Sequence, residues 1–199
     1  VDLKDLKRVN DLWSKIYPYL AIQVMKSYGR SDGKVLELGP FSGGISMELA
    51  RLYPGLNVTI AAQDRGVVDY LRGEIERAGL NLKMEVAWSA LDPLAFADLL
   101  FDLIIFRGAY FFLDDQGRIL REIYRVLKGN GLAFIGGGYG ENTPQTLIDE
   151  IAEESRDLND RLGRRRVTEQ EVGDMVSGAG LSRQARIERG GGLWLVIQK

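Results

Sequence analysis

The chain has 199 residues and contains neither cysteine nor histidine. That excludes disulfides, thiolate nucleophiles, zinc sites of the Cys/His kind and Ser-His-Asp triads. Any general base is then an Asp, Glu, Lys or Tyr, or the reaction needs none. No metal site is expected. No apolar run is long enough to span a bilayer and no signal-peptide pattern is visible. No membrane partner and a cytoplasmic location are therefore expected. The chain opens on Val rather than Met, as trimming or a removed tag would leave it. An excess of one charge is also missing: 26 Lys+Arg stand against 28 Asp+Glu, a formal net charge of -2. Without a broad basic field, a nucleic-acid partner is not expected. The one compact basic run, Arg164-Arg165-Arg166, sits in a stretch rich in both signs and reads as a solvated face.

What is present is an ordinary globular balance, 45% apolar and 27% charged residues, enough for one α/β domain with a substantial core. Residues 3–28 carry apolar positions at helical spacing, from Leu6 and Val9 to Val24 and Met25, and Pro18 divides them into two helices. Strands are expected over 34–38, 58–62, 82–87, 101–106 and 132–135. Helices are expected over 45–53, 65–78, 118–127, 143–162 and 168–177, with Asp114 or Asp115 as N-cap of the third of these. Lys128–Gly131 reads as a turn and Gly136–Gly140 as a loop. Residues 182–188 and 193–198 read as strands joined by Gly190-Gly191-Gly192, which is hairpin chemistry. Strand and helix alternate, which predicts a mostly parallel sheet with helices on both faces; the terminal hairpin adds an antiparallel edge. No linker interrupts the chain. A single domain over 1–199 is expected, with a helical lid or cap over 1–30 and the core over 34–199.

The most informative stretch is Val35-Leu36-Glu37-Leu38-Gly39-Pro40-Phe41-Ser42-Gly43-Gly44. A short apolar run ends at an acid and passes through a glycine-rich turn into a helix. Such a turn presents backbone N–H groups and a helix N-terminus to a ligand. Glu37, two residues before the first glycine, is placed to accept hydrogen bonds from a ligand amine or hydroxyl. A phosphate would not tolerate that charge, so the turn suits a nucleoside carrying an amino group. A nicotinamide-dependent oxidoreductase would instead show G-x-G-x-x-G and an acid after the second strand.

Glu37–Gly43 resembles the first motif of class I S-adenosylmethionine-dependent methyltransferases. Phe101-Asp102-Leu103-Ile104-Ile105-Phe106-Arg107-Gly108 resembles that family's fourth-strand motif. Arg121–Gly131 is similar to its helix and turn before the fifth strand. Ile16-Tyr17-Pro18, Gly136–Gly140 and Gly192–Ile197 are similar to a small subgroup of generic members with no assigned substrate. The resemblance implies a Rossmann-like, doubly wound, mostly parallel seven-stranded α/β sheet with a C-terminal antiparallel β-hairpin. It also implies S-adenosylmethionine as cofactor, a small-molecule acceptor, and a monomer or homodimer.

Carried onto this sequence, the resemblance implies cofactor contacts from Tyr17, Glu37, Gly39, Pro40, Phe41, Gly43, Gln63, Asp64, Ser89, Ala90 and Arg107. Three positions depart from the family's pattern. Phe41 stands where a glycine is usual, so its ring either walls the pocket or fills it. Ala62 stands where the second strand usually ends in a ribose-binding acid. Ser89 stands where an acid often meets the adenine amine. Gln63 or Asp64 offers a substitute for the ribose; Asp64 is equally an N-cap for helix 65–78. Trp88 either stacks on adenine or covers the sheet edge. Arg107 is set to pair a carboxylate of cofactor or substrate, or a surface acid. Trp13, Tyr110, Phe111 and Tyr139 are the expected acceptor walls, Trp13 having core packing as its other reading. No single catalytic residue is identified. A fold retained as a binding module with a degraded cofactor site is the alternative.

Overall fold

The computed structural model describes residues 2–199. Two helices open the chain, α1 (Leu3–Trp13) and α2 (Tyr17–Tyr28), with Pro18 in the first turn of the second, where its missing N–H costs nothing. Then follow β1 (Asp32–Leu38), α3 (Gly44–Leu52), β2 (Gly55–Ala62), α4 (Arg65–Arg77), β3 (Met84–Trp88) and β4 (Phe101–Arg107). The chain closes with α5 (Arg118–Val126), β5 (Leu127–Gly138), α6 (Gln145–Arg161), α7 (Glu169–Gly178), β6 (Ala185–Glu188) and β7 (Gly192–Gln198).

The seven strands form one sheet in the order β3-β2-β1-β4-β5-β7-β6. The first five run parallel, and β7 runs antiparallel to both β5 and β6. Both faces are covered, which is why the central strands are apolar at nearly every position. On β4, Leu103 and Ile105 pack into a layer with residues of α1–α4 and α6. Ile104 and Phe106 pack into the opposite layer with α5 and α7. On β7, Trp194 and Val196 face the first layer and Leu195 and Ile197 the second. The strand order reverses between β1 and β4, so the crevice that open α/β sheets use for ligands lies at the carboxyl ends of these two strands.

Local signals account for the helix ends. Thr168 forms a capping box with Glu171 at the start of α7. Asp114 accepts the amides of Gln116, Arg118 and Ile119 at the start of α5. Helix α6 starts at Gln145 rather than 143 because Pro144 sits at its N-cap with an extended ψ of 137°.

Two expectations are corrected. Lys128–Gly131 is not a turn outside the sheet but an irregularity inside β5: Phe101 pairs with Leu127 and Leu103 with Leu132. Lys199 holds this excursion, the Asn130 amide donating to its carbonyl at 2.8 Å and its amide donating to the Gly131 carbonyl at 3.0 Å. Gly136–Gly138 is likewise not a loop, since these residues pair with Trp194, Leu193 and Gly192 of β7. Gly136 has φ 145°, and a Cβ there would collide with the Leu193 carbonyl oxygen. A Cβ on Gly137 would meet nothing within 4 Å.

Gly136→Ala is therefore expected to cost about 2–4 kcal/mol of stability, combining strained backbone and collision. Gly137→Ala should change it by less than about 0.5 kcal/mol. Urea unfolding midpoints of the two variants check this; equal midpoints would contradict the β5–β7 register.

Candidate active site

Glu37 ends β1 beside Ile60 of β2 and Ile105 of β4, and no part of it reaches solvent. Its Oε2 accepts the amides of Gly43 at 2.9 Å and Ser46 at 3.2 Å. These are N–H groups of the α3 N-terminus, which lack helical partners, and a carboxylate there also opposes the helix dipole. Its Oε1 is buried without a partner, as is the Ser46 hydroxyl. Burial raises the Glu37 carboxyl above its ordinary 4.5; the Ser46 and Gly43 donors and the Arg107 charge act the other way.

The glycine turn is tightly packed. The Gly39 amide donates to the Ala61 carbonyl at 2.9 Å, and Pro40, Phe41 and Ser42 are buried. The Phe41 ring lies on Gly108 at the end of β4, with its nearest atom 2.5 Å from where a Cβ would stand. It also packs against Phe111, with ring centres 4.9 Å apart. The Tyr17 ring lies directly on Gly44, leaving no space for a side chain there. Burial pushes the Tyr17 phenol up to about 12.

Arg107 is buried at the carboxyl end of β4. It donates to the Phe41 carbonyl at 3.2 Å, to Asn10 Oδ1 at 3.2 Å and to the Tyr17 hydroxyl at 3.0 Å. Its guanidinium carbon lies 4.5 Å from the Trp13 ring centre and 5.3 Å from that of Tyr17, within cation–π range. Trp13 donates to Ser155 Oγ at 2.8 Å and stacks on Tyr139 at 5.2 Å. Tyr110 donates its hydroxyl to the Leu193 carbonyl at 3.0 Å.

These aromatics enclose a cavity of about 250 Å³ between the ends of β4, β5 and β7, walled by Trp13, Phe41, Tyr110, Phe111 and Tyr139. The four expected acceptor residues thus meet around one space, with Arg107 at its edge. The expected adenosine residues lie elsewhere. Asp64 accepts the Val67 amide at 3.1 Å as N-cap of α4. Gln63 is exposed, its carbonyl accepting Trp88 Nε1 at 2.9 Å. Ser89 is buried; its hydroxyl donates to the Ala90 carbonyl and accepts the Ala95 amide. Trp88 is 46% exposed at the sheet edge.

Two features escaped the sequence reading. Asn10, which holds both Arg107 and Tyr17, is a lone polar residue on the buried face of α1, one turn from Leu6 and Trp13; that position was the available signal. Arg164 and Arg165, in the run expected as a solvated face, also border the cavity, Arg165 remaining exposed.

The raised Glu37 carboxyl has a consequence for stability. Above pH 4.5 the unfolded chain loses this proton before the folded one does, so the Glu37 contribution falls as pH rises until the folded carboxyl ionises. The unfolding free energy of the wild type minus that of Glu37→Gln should therefore decline as pH rises above 4.5. Denaturant titrations across that range check it, and a difference that rose with pH would show that the amide donors outweigh burial.

Residues 36–135 match the family described as "Methyltransferase domain". A ubiquinone/menaquinone biosynthesis C-methyltransferase from Desulfotalea psychrophila is 30% identical over 110 residues, 54% of this chain and 42% of that protein. A glycine/sarcosine/dimethylglycine N-methyltransferase from Actinopolyspora halophila is 33% identical over 101 residues, 50% of this chain and 18% of that protein. The chain spans less than half the length of the curated relatives it matches. A crystal structure of a candidate S-adenosyl-L-methionine-dependent methyltransferase from Methanococcus maripaludis superposes with a TM-score of 0.83 at 26% identity, covering 98% of this chain and 91% of that one. Among the described residues, no helix is long and apolar enough to cross a membrane. With its motifs, sheet order and match to the family in agreement, the chain belongs to the class I S-adenosylmethionine-dependent methyltransferases.

Proposed function

We propose that this chain moves a methyl group from S-adenosylmethionine to a small organic acceptor by in-line displacement. The observation that carries this reading is Glu37 Oε1, a buried acceptor without a partner at the N-terminus of α3, in a fold whose aromatic cavity lies at the carboxyl end of the adjacent β4. When bound, the cofactor supplies the methyl group as a sulfonium electrophile. Glu37 Oε1 suits an ammonium donor. The backbone around Gly39, Pro40, Phe41 and Gly43 suits close approach, with Tyr17 above it. The Gln63, Asp64, Ser89 and Ala90 edges, with the half-exposed Trp88, form the rim on the β2–β3 side. Helices α1 and α2 act as the cap.

Trp13, Tyr110, Phe111 and Tyr139 exclude water and orient the acceptor. Orientation alone supplies about 7–11 kcal/mol in well-aligned systems. An already nucleophilic acceptor needs no general base, in keeping with a chain that has no histidine. The cavity of about 250 Å³ is smaller than the ~300–1,000 Å³ of drug-sized sites, which favours a small molecule over a protein or nucleic acid.

Titration calorimetry with S-adenosylmethionine and S-adenosylhomocysteine is expected to give micromolar binding. Glu37→Gln should weaken it at least about tenfold through loss of a charge-assisted hydrogen bond. No binding at millimolar ligand would overturn the proposal.

The packing of Phe41 on Gly108 supports one other reading, a binding module whose cofactor site is filled. On that reading Phe41→Gly creates cofactor binding that the natural chain lacks. On the first reading the natural chain already binds, and the substitution only adjusts its affinity.

A further inference from the structure

Three guanidinium groups, those of Arg107, Arg164 and Arg165, line the aromatic cavity, and no carboxylate does among the described residues. Two of them have acidic partners. Arg164 pairs with Asp160 at 2.8 Å, though its Nε is buried without a partner. Arg165 pairs with Asp115 at 2.9 Å and Glu171 at 3.5 Å. Arg107 differs. It is only 5% exposed, and its hydrogen bonds all go to uncharged oxygens, those of Phe41, Asn10 and Tyr17.

The Glu37 carboxyl is near enough to feel this charge but makes no hydrogen bond to it, and for a buried cation without a carboxylate in direct contact an arriving anion offsets part of the cost of burial. A guanidinium is also the side chain best matched to a planar carboxylate. The surrounding walls are aromatic: Trp13, Phe41, Tyr110, Phe111 and Tyr139. They suit a flat apolar body, and the cavity of about 250 Å³ limits its size.

We infer that the acceptor is a small organic acid with a flat or aromatic body, its carboxylate held by Arg107. This rests on the reading of the cavity as the acceptor pocket. The cofactor's own methionine carboxylate is the other claimant on Arg107, and the test separates the two.

The probes are phenylacetate and its neutral amide, phenylacetamide, titrated by calorimetry into the full chain with and without saturating S-adenosylhomocysteine. Phenylacetate should bind at least about tenfold more tightly than the amide. Arg107→Met should abolish that preference and change S-adenosylhomocysteine affinity by less than about threefold, and Arg107→Lys should keep part of the preference. Equal binding of acid and amide, or binding of neither, overturns the inference. So does an Arg107→Met variant that loses S-adenosylhomocysteine binding but keeps the acid preference, since Arg107 then belongs to the cofactor. If Arg107→Met does not fold, the wild-type preference and its reduction in Arg107→Lys decide. Failure of S-adenosylhomocysteine to bind at all refutes the methyltransferase reading instead. The acid preference of the protein without it still decides this inference.

Discussion

The carboxylate of Glu37 has been taken wholly out of water and set against two amides of the α3 N-terminus. One side chain thereby joins strand β1, the glycine turn and helix α3 into a unit. Burying an acid is unfavourable, and the two donors offset only part of that cost, which is why its carboxyl sits above the ordinary range. The start of α3 is thereby fixed to β1 beside the crevice that the strand order opens between β1 and β4. The unpartnered Oε1 is the remainder of the same arrangement: a strong acceptor held in place before any ligand arrives.

Arg107 plays the corresponding part at the end of β4. Its hydrogen bonds reach the glycine turn through Phe41 and the N-terminal helices through Asn10 and Tyr17. The ring of Trp13, beside the guanidinium, links it onward to α6 through Ser155. The Arg107 charge and the Glu37 carboxyl stand at the ends of neighbouring parallel strands, and that charge favours ionisation of the buried acid.

Much of the fold was legible because it follows from local pattern. The apolar runs of β1, β2 and β4, the break at Pro18 and the Thr168–Glu171 cap need only neighbouring residues to be understood. The illegible parts depended on distant ones. Gly136–Gly138 looks like a loop until β7 pairs with it, and the Asn130 excursion joins the sheet only because Lys199 holds it. Around the cavity, Tyr110, Phe111 and Tyr139 were recognisable as aromatics placed after strands, and Trp13 as an aromatic one turn before Tyr17. The place of Arg164 and Arg165 at the cavity was not, because a charged run gives no sign of which distant elements it lies beside. Asn10 was missed for a related reason: its partners lie 97 residues away in Arg107 and 7 away in Tyr17.

The seat of the Tyr17 ring on Gly44 bears on kinetics as well as on affinity. A group placed where a Gly44 side chain would stand must displace the buried tyrosine ring, and with it the hydrogen bonds to Asn10 and Arg107. The ion pairs Arg8–Glu154 and Asp5–Arg161, which also fasten α1 to α6, are half-exposed and contribute little to the cost of opening. The buried contacts set that cost. A ligand that needs that place then binds more weakly than its contacts alone would allow, by the fraction of molecules open at a given moment. Its association rate ceases to rise with concentration once opening becomes the slow step.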